Sequence, residues 1–188
     1  APNKVAILWV NEHGEEHRFT FSDLKEKSNQ VANMMLDHGV KKGDMVMSVL
    51  KRHYEYWFLA YGLMKMGAIL IPATNQLKKK DYTYRFKAAD VKYVVATAED
   101  DVPNNIDKAL EEYDGIAEKF ITHGSKEGWT DFLSEIEKYP KTLERIPNKI
   151  DEPMLLYFSS GTTGYPKMIL HKYSLAASHI ITAKHWHH

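Results

Sequence analysis

Tyr56–Ala73 reads YWFLAYGLMKMGAILIPA and is the longest apolar stretch in the chain. A membrane-spanning helix needs about 20 consecutive apolar residues. This run is interrupted by Lys65, by two glycines and by Pro72, so it reads as two elements rather than one span. Tyr54 to Met66 carries large apolar groups at helical density, and Gly67 stands where a C-terminal helix cap places glycine. Ala68 to Pro72 then reads as a short buried strand. A buried helix feeding directly into a buried strand is half of a βαβ unit, and the rest of the chain repeats the pattern.

Upstream, Val5 to Val10 is an apolar run, His13-Gly14 sits in a turn, and His17 to Thr20 returns as the second arm of a small hairpin. Ser22 is the expected N-cap of the next helix, with Asp23 in its first turn. Leu24, Val31, Met34, Met35 and His38 follow helical spacing, and Gly39 ends that helix. Lys41-Lys42-Gly43-Asp44 is a turn before a strand at Met45 to Leu50. Downstream, the pattern predicts a helix over Lys78 to Ala89, a strand over Lys92 to Ala96, a helix over Pro103 to Tyr113, a strand over Lys119 to Thr122 and a surface helix over Trp129 to Tyr139. The expected fold class is α/β: a mostly parallel sheet flanked by helices, with a small N-terminal hairpin.

Residues 1–139 form one expected α/β subdomain. Residues 140–153 (PKTLERIPNKIDEP) hold three prolines and six charged residues and read as an exposed connection. Residues 154–188 are expected to start a second subdomain, with a strand at Met154 to Phe158, a loop and a following helix from Tyr173 onward. No internal repeat or low-complexity segment occurs.

Composition narrows the function. Lys plus Arg equals Asp plus Glu at 25 each, so charge gives no reason to expect nucleic acid or an anionic membrane as partner. The chain has no cysteine, which excludes disulfides, thiolate metal sites and a cysteine nucleophile. No signal peptide pattern is seen at the start, and a cytoplasmic location is expected. The first residue is not Met, so the chain is expected to begin inside a longer product.

The chemistry lies in Ser159–Lys167, SSGTTGYPK. Gly161 and Gly164 permit a tight turn and close approach of backbone to a ligand. Backbone N–H groups in such a loop can converge on an anion. Ser159, Ser160, Thr162 and Thr163 add hydroxyl donors, and Lys167 adds a point charge suited to phosphate. It is not a Walker loop, because Tyr165 and Pro166 separate Gly164 from Lys167 and Met168 follows the lysine. The alternative is a polar surface turn.

These residues, with their flanks in LLYFSSGTTGYPKM, closely resemble the signature loop of the adenylate-forming superfamily, which includes acyl-CoA synthetases, luciferases and peptide-synthetase adenylation domains. FTFSDLKEKSNQVANMMLDHGVKKGDMV and HYEYWFLAYGLMKMGAILIPATNQL look like the family's opening helix and its next helix–strand unit. Pro72 to Leu77 and the Lys167-Met168 ending look most like the medium-chain acyl-CoA synthetase branch. The resemblance implies an AMP-forming acid–thiol ligase with ATP, Mg²⁺ and CoA, acting on a small-molecule carboxylic acid. It implies that Ser159, Ser160, Gly161, Thr162, Thr163, Gly164 and Lys167 hold the ATP phosphates, with Lys167 and Thr162 as the catalytic candidates. The family's Tyr-Gly-x-Thr-Glu segment and its C-terminal catalytic lysine do not appear, so this stretch alone is expected not to complete the reaction. A stand-alone phosphate- or nucleotide-binding module without catalysis is the alternative function, and a non-enzymatic interaction domain is a further one.

His171 is a candidate for lining the acyl or adenylate site, against a helix-start histidine with a structural hydrogen bond. His185, His187 and His188 read as a frayed end rather than a metal site. The Lys78–Lys80 run reads as a solvated helix start, and Tyr56, Trp57 and Phe58 as core packing rather than a substrate tunnel. No metal-ligating set is expected from the sequence.

Overall fold

The computed structural model describes residues 1–159 and 164–186. Strands β1 (Val5–Val10) and β2 (Glu16–Thr20) pair antiparallel as the expected hairpin, with a register irregularity between Val5 and Ile7. Asn11 Oδ1 accepts bonds from the backbone N–H groups of His13 and Glu15 and so closes the turn. The hairpin is fastened to the body by aromatic contacts: Phe19 lies 4.9 Å from Tyr54 and 5.2 Å edge-on to Phe58, and Trp9 donates from Nε1 to the carbonyl of Arg52 at 2.7 Å.

Helix α1 (Phe21–Asp37) is capped by Thr20, not by Ser22. The Thr20 hydroxyl accepts from Asp23 N at 3.1 Å, and the Asp23 carboxylate accepts from Thr20 N at 2.8 Å. That reciprocal pair needs a three-residue spacing, which Thr20 has with Asp23. Then follow β3 (Met45–Val49), α2 (Glu55–Met66), β4 (Ile69–Pro72), α3 (Lys79–Ala89), β5 (Val91–Thr97), α4 (Val102–Leu110) and β6 (Glu118–Thr122). Gly67 caps α2 in the left-handed region at φ 83°, as expected.

Strand order in the main sheet is β7-β6-β5-β3-β4-β8-β9, where β7 is Thr130–Asp131, β8 is Pro153–Ser159 and β9 is Lys167–Lys172. All neighbours pair parallel except β8 with β9. Side chains alternate between two cores, as a pleated strand requires. Val46, Leu70, Val95, Phe120 and Leu155 face α1 and α2, whereas Met47, Ile71, Val94, Ile121 and Leu156 face α3 and α4. The first layer is tightly fitted: a Cβ on Gly62 of α2 would stand 2.6 Å from Val31 Cγ1 of α1.

Three further expectations change. Trp129 to Tyr139 is not one surface helix. It splits into β7 and the short helix α5 (Phe132–Ile136), because Thr130 joins the sheet opposite Phe120 and pulls Phe132 and Ile136 under it, where both are fully buried. The loop after β8 does not lead straight into a helix. The chain first returns as β9 and only then forms α6 (Ser174–Trp186). Trp57 is not core: it is 44% exposed beside Tyr61, while its neighbour Phe58 is buried. Residues 140–152 carry no regular element, Pro153 already belonging to β8, and they are tied to the body by Lys42 donating to the Pro147 carbonyl and by Asn148 donating to the carbonyls of Met64 and Lys65.

Candidate phosphate-binding site

Strand β8 runs parallel to β4, so its carboxyl end lies on the edge of the sheet where open α/β folds bind ligands. Ser159 is its last residue, and Lys167, the first of β9, is its register partner across the hairpin. Ser159 Oγ donates to the Lys167 carbonyl at 3.4 Å. The two ends of the SSGTTGYPK stretch, Ser159 and Lys167, are therefore held side by side. Ser160, Gly161, Thr162 and Thr163 lie outside the described residues. Gly164 has φ +122°, a conformation that L side chains rarely adopt, with nothing within 4 Å of where a Cβ would stand.

The exit of the loop is anchored on α3. The Tyr165 ring stacks on Tyr84 at 4.6 Å, and the Tyr84 hydroxyl donates to the Pro166 carbonyl at 2.9 Å. Between α3 and Gly164–Pro166 lies a cleft of about 680 Å³ whose wall includes Lys80, Arg85 and Lys87. Lys80, Tyr84 and Lys87 share a helix face by their i, i+4, i+7 spacing, a signal already present in the sequence. Arg85 sits over the Phe158 ring at 5.2 Å and donates to the Asp81 carbonyl. Burial lowers its pKa from the usual arginine range and Asp81 opposes that, yet an arginine side chain stays charged near neutral pH. Lys79 is instead taken up by Glu111 and Glu112.

His171 is on β9 opposite Leu155, not at a helix start, and meets the Tyr157 ring edge-on at 5.7 Å. His185 is on α6, while His187 and His188 lie outside the described residues. Among the described residues, the Ser159 hydroxyl, Gly164 and the exposed Lys167 lie beside a cleft whose wall holds four basic residues against Asp81 and Glu112, and that set suits a polyphosphate.

The profile of the family described as "AMP-binding enzyme" matches residues 1–188. The chain belongs to the AMP-binding enzyme family. Among curated family members, mouse (Mus musculus) acyl-coenzyme A synthetase ACSM1, mitochondrial, is 37% identical over 172 residues, which is 91% of this chain and 30% of that protein. Rat (Rattus norvegicus) acyl-coenzyme A synthetase ACSM4, mitochondrial, is 31% identical over 98% of this chain and 32% of its own length. The chain thus spans about a third of the length of the curated relatives it matches. The crystal structure of the anthranilate CoA ligase AuaEII in complex with anthranoyl-AMP superposes with a TM-score of 0.87 at 26% identity, covering 98% of this chain and 34% of that one. An acyl-CoA synthetase from Brucella canis gives 0.82 at 25% identity, covering 95% and 32%. The fold is that of the N-terminal region of adenylate-forming enzymes. Among the described residues, no helix is long and apolar enough to cross a membrane.

Proposed function

We propose that this chain is the N-terminal third of an AMP-forming acyl-CoA synthetase and that Ser159–Lys167 grips the β- and γ-phosphates of ATP. The observation that carries the reading is the pairing of Ser159 with Lys167 at the carboxyl end of a parallel strand, with a cationic cleft beside Gly164–Pro166. The match of the whole chain to the AMP-binding family supports it. In the proposed first step a carboxylate oxygen attacks the α-phosphorus, the bond to pyrophosphate breaks, and acyl-AMP forms. In the second the CoA thiol, losing its proton, attacks the acyl carbon and AMP departs.

The part of this chain in the first step is to hold the leaving pyrophosphate. Lys167 supplies positive charge, Ser159, Ser160, Thr162 and Thr163 supply hydroxyl donors, and Gly161 and Gly164 let backbone N–H groups approach. Fixed donors of this kind act by positioning and by neutralising charge as it develops. Mg²⁺ belongs to the proposal as the ion carried by ATP. His171, half-buried beside Tyr157, is proposed to line the acyl or adenylate side of the turn. The names of the curated relatives support an acyl substrate, and the Pro72–Leu77 and Lys167-Met168 segments favour a medium chain. The proposed location is the cytoplasm, which stands on composition alone, since the relatives named above are mitochondrial proteins.

The test is carboxylate-dependent exchange of labelled pyrophosphate into ATP, measured on this chain within its complete gene product with acids of graded length. Exchange that requires an acid and falls by at least about 100-fold in Lys167→Ala, the scale of losing one fixed transition-state donor, supports adenylation, and the preferred acid names the substrate. Bound ATP without exchange for any acid would replace this reading with the alternative, a phosphate-binding module without catalysis.

A further inference from the structure

Two strands away from the phosphate loop, the sheet has a second crevice. The connection leaving β3 through α2 runs toward β4, whereas the one leaving β5 through α4 runs toward β6 on the opposite face. The adjacent strands β3 and β5 therefore form the topological switch point, where the helices diverge and leave an opening beyond the carboxyl ends. The opening is a cleft of about 520 Å³ whose wall includes Trp9, Asn11 and His13 from the hairpin and Lys51, His53, Glu99 and His123 from the sheet edge.

Three potential ligands converge there. His53 follows β3, Glu55 is the first residue of α2, and His123 directly follows β6. One nitrogen from each histidine and one Glu55 oxygen all lie within 4.8 Å of one another. The imidazole rings are stacked, 3.7 Å between centroids and 20° between planes. Around a tetrahedral zinc with nitrogen and oxygen ligands at about 2.0–2.1 Å, donor atoms stand roughly 3.3 Å apart. Closing the set takes a contraction of up to about 1.5 Å and a turn of the stacked rings that aims both nitrogens at one ion.

Glu55 is what makes the cluster more than a chance neighbourhood of histidines. Its side chain is fully buried, yet among the described residues its carboxylate meets only His123, and neither oxygen is in a well-aligned hydrogen bond. His123 Nε2 stands 3.0 Å from Oε1, an ion-pair contact to that one oxygen, and nothing among the described residues approaches Oε2 as a hydrogen-bond partner. A buried charge without such partners is costly and is commonly paired or bound to a metal. The start of α2 offsets part of that cost through its dipole. The other charged groups facing the histidines do not relieve Glu55: Glu99 approaches His53 at 3.5 Å but is bound to Lys51, which also reaches Asp100. His53 additionally meets Thr97 Oγ1 at 3.4 Å.

We propose that His53, Glu55 and His123 bind a divalent transition metal of the zinc class. Two imidazoles and one carboxylate match borderline metals, whereas Mg²⁺ and Ca²⁺ prefer all-oxygen sets. Three protein ligands leave the fourth position open toward the cleft. The metal would tie the ends of β3 and β6 to the start of α2. This inference does not depend on the ligase reading, since none of its residues belongs to the phosphate loop.

The test uses the whole chain carrying His185→Ala, His187→Ala and His188→Ala, which removes the terminal histidines as competitors. After chelation and exchange into metal-free buffer, Co²⁺ is titrated in and read by its visible ligand-field bands, then displaced by Zn²⁺. The expected result is one Co²⁺ per chain with tetrahedral-type absorption, and a melting temperature that rises with Zn²⁺ as mass action on the folded state requires. His53→Ala or His123→Ala should weaken binding by at least about 100-fold, and Glu55→Gln, which keeps an oxygen donor, by about 10-fold. Circular dichroism establishes that each variant is folded. Should a variant fail to fold, the decision rests on stoichiometry and Zn²⁺-dependent melting in the chain that keeps all three ligands. No ligand-field band and no shift in melting there would overturn the proposal, as would folded His53→Ala and His123→Ala variants that bind as before.

Discussion

Strands β3 and β9 belong to one sheet and could hardly be treated more differently. Four of the five residues of β3 are buried, with apolar side chains on both faces covered by helices. In β9 only His171 escapes full exposure, and α6 behind it has no buried residue at all. The difference shows where the folding free energy sits. In the β3 region, each apolar group removed from water contributes roughly 25 cal/mol per Å². In β9 and α6 backbone hydrogen bonds form, but almost no side-chain area is withdrawn from solvent.

The contrast can be broken most directly in the core. Phe86→Ala and Phe120→Ala each empty a fully buried site and should cost about 3–5 kcal/mol in urea unfolding. Gly62→Ala should cost about 1–3 kcal/mol by the same measurement, because the new methyl meets Val31 and forces α1 away from α2. Thr20→Ala removes the cap of α1 and should cost about 1 kcal/mol, whereas Ser22→Ala should be near neutral, and chemical unfolding of the pair tells the two assignments apart.

A smaller effect is expected at Lys65, which donates to the Lys25 carbonyl, Ser28 Oγ and Asn29 Oδ1. Burial, with some repulsion from Lys25, lowers its pKa to about 8 from the ordinary lysine value of 10.5. The unfolded chain then holds more protons than the folded one between those values, so stability rises as pH increases from about 8 to 10.5. The group is half-buried, and screening holds the gain below about 1 kcal/mol. Lys65→Met should flatten that slope in a pH series of denaturation midpoints. At the bottom of the scale, Ile180→Ala on α6 should stay within about 0.5 kcal/mol. A loss there as large as at Phe86 would mean that the two regions are packed alike.

The same contrast explains what could be read from the sequence. The α2–β4 unit was legible because burial of most of the helix, Trp57 and Tyr61 apart, and of the strand leaves an apolar run punctuated by Gly67. The strand β9 was not, because an exposed strand has no buried face to impose alternation, and Lys167 and Lys172 at its ends look like loop. At α5 the local pattern was helical over too long a stretch, and only the pairing of β7 with β6 cut it short. At the phosphate site, residue types and order were visible in SSGTTGYPK, but the anchoring of Tyr165 and Pro166 by Tyr84 joins distant segments and leaves no local trace. The cluster of His53, Glu55 and His123 is hidden for the same reason: topology, not spacing, brings β3 and β6 to one edge.

The order β7-β6-β5-β3-β4-β8-β9 also gives the sheet two unequal margins. On one side β7 offers only two residues, too short a template for another chain to extend. On the other, β9 offers six, with Met168, Ile169 and Leu170 open to solvent and a lysine at each end as the only deterrent. Among the described residues the ladder can therefore grow in one direction only. Taken alone, this stretch of chain is expected to self-associate first at β9, and a charge placed at Ile169 should reduce that association.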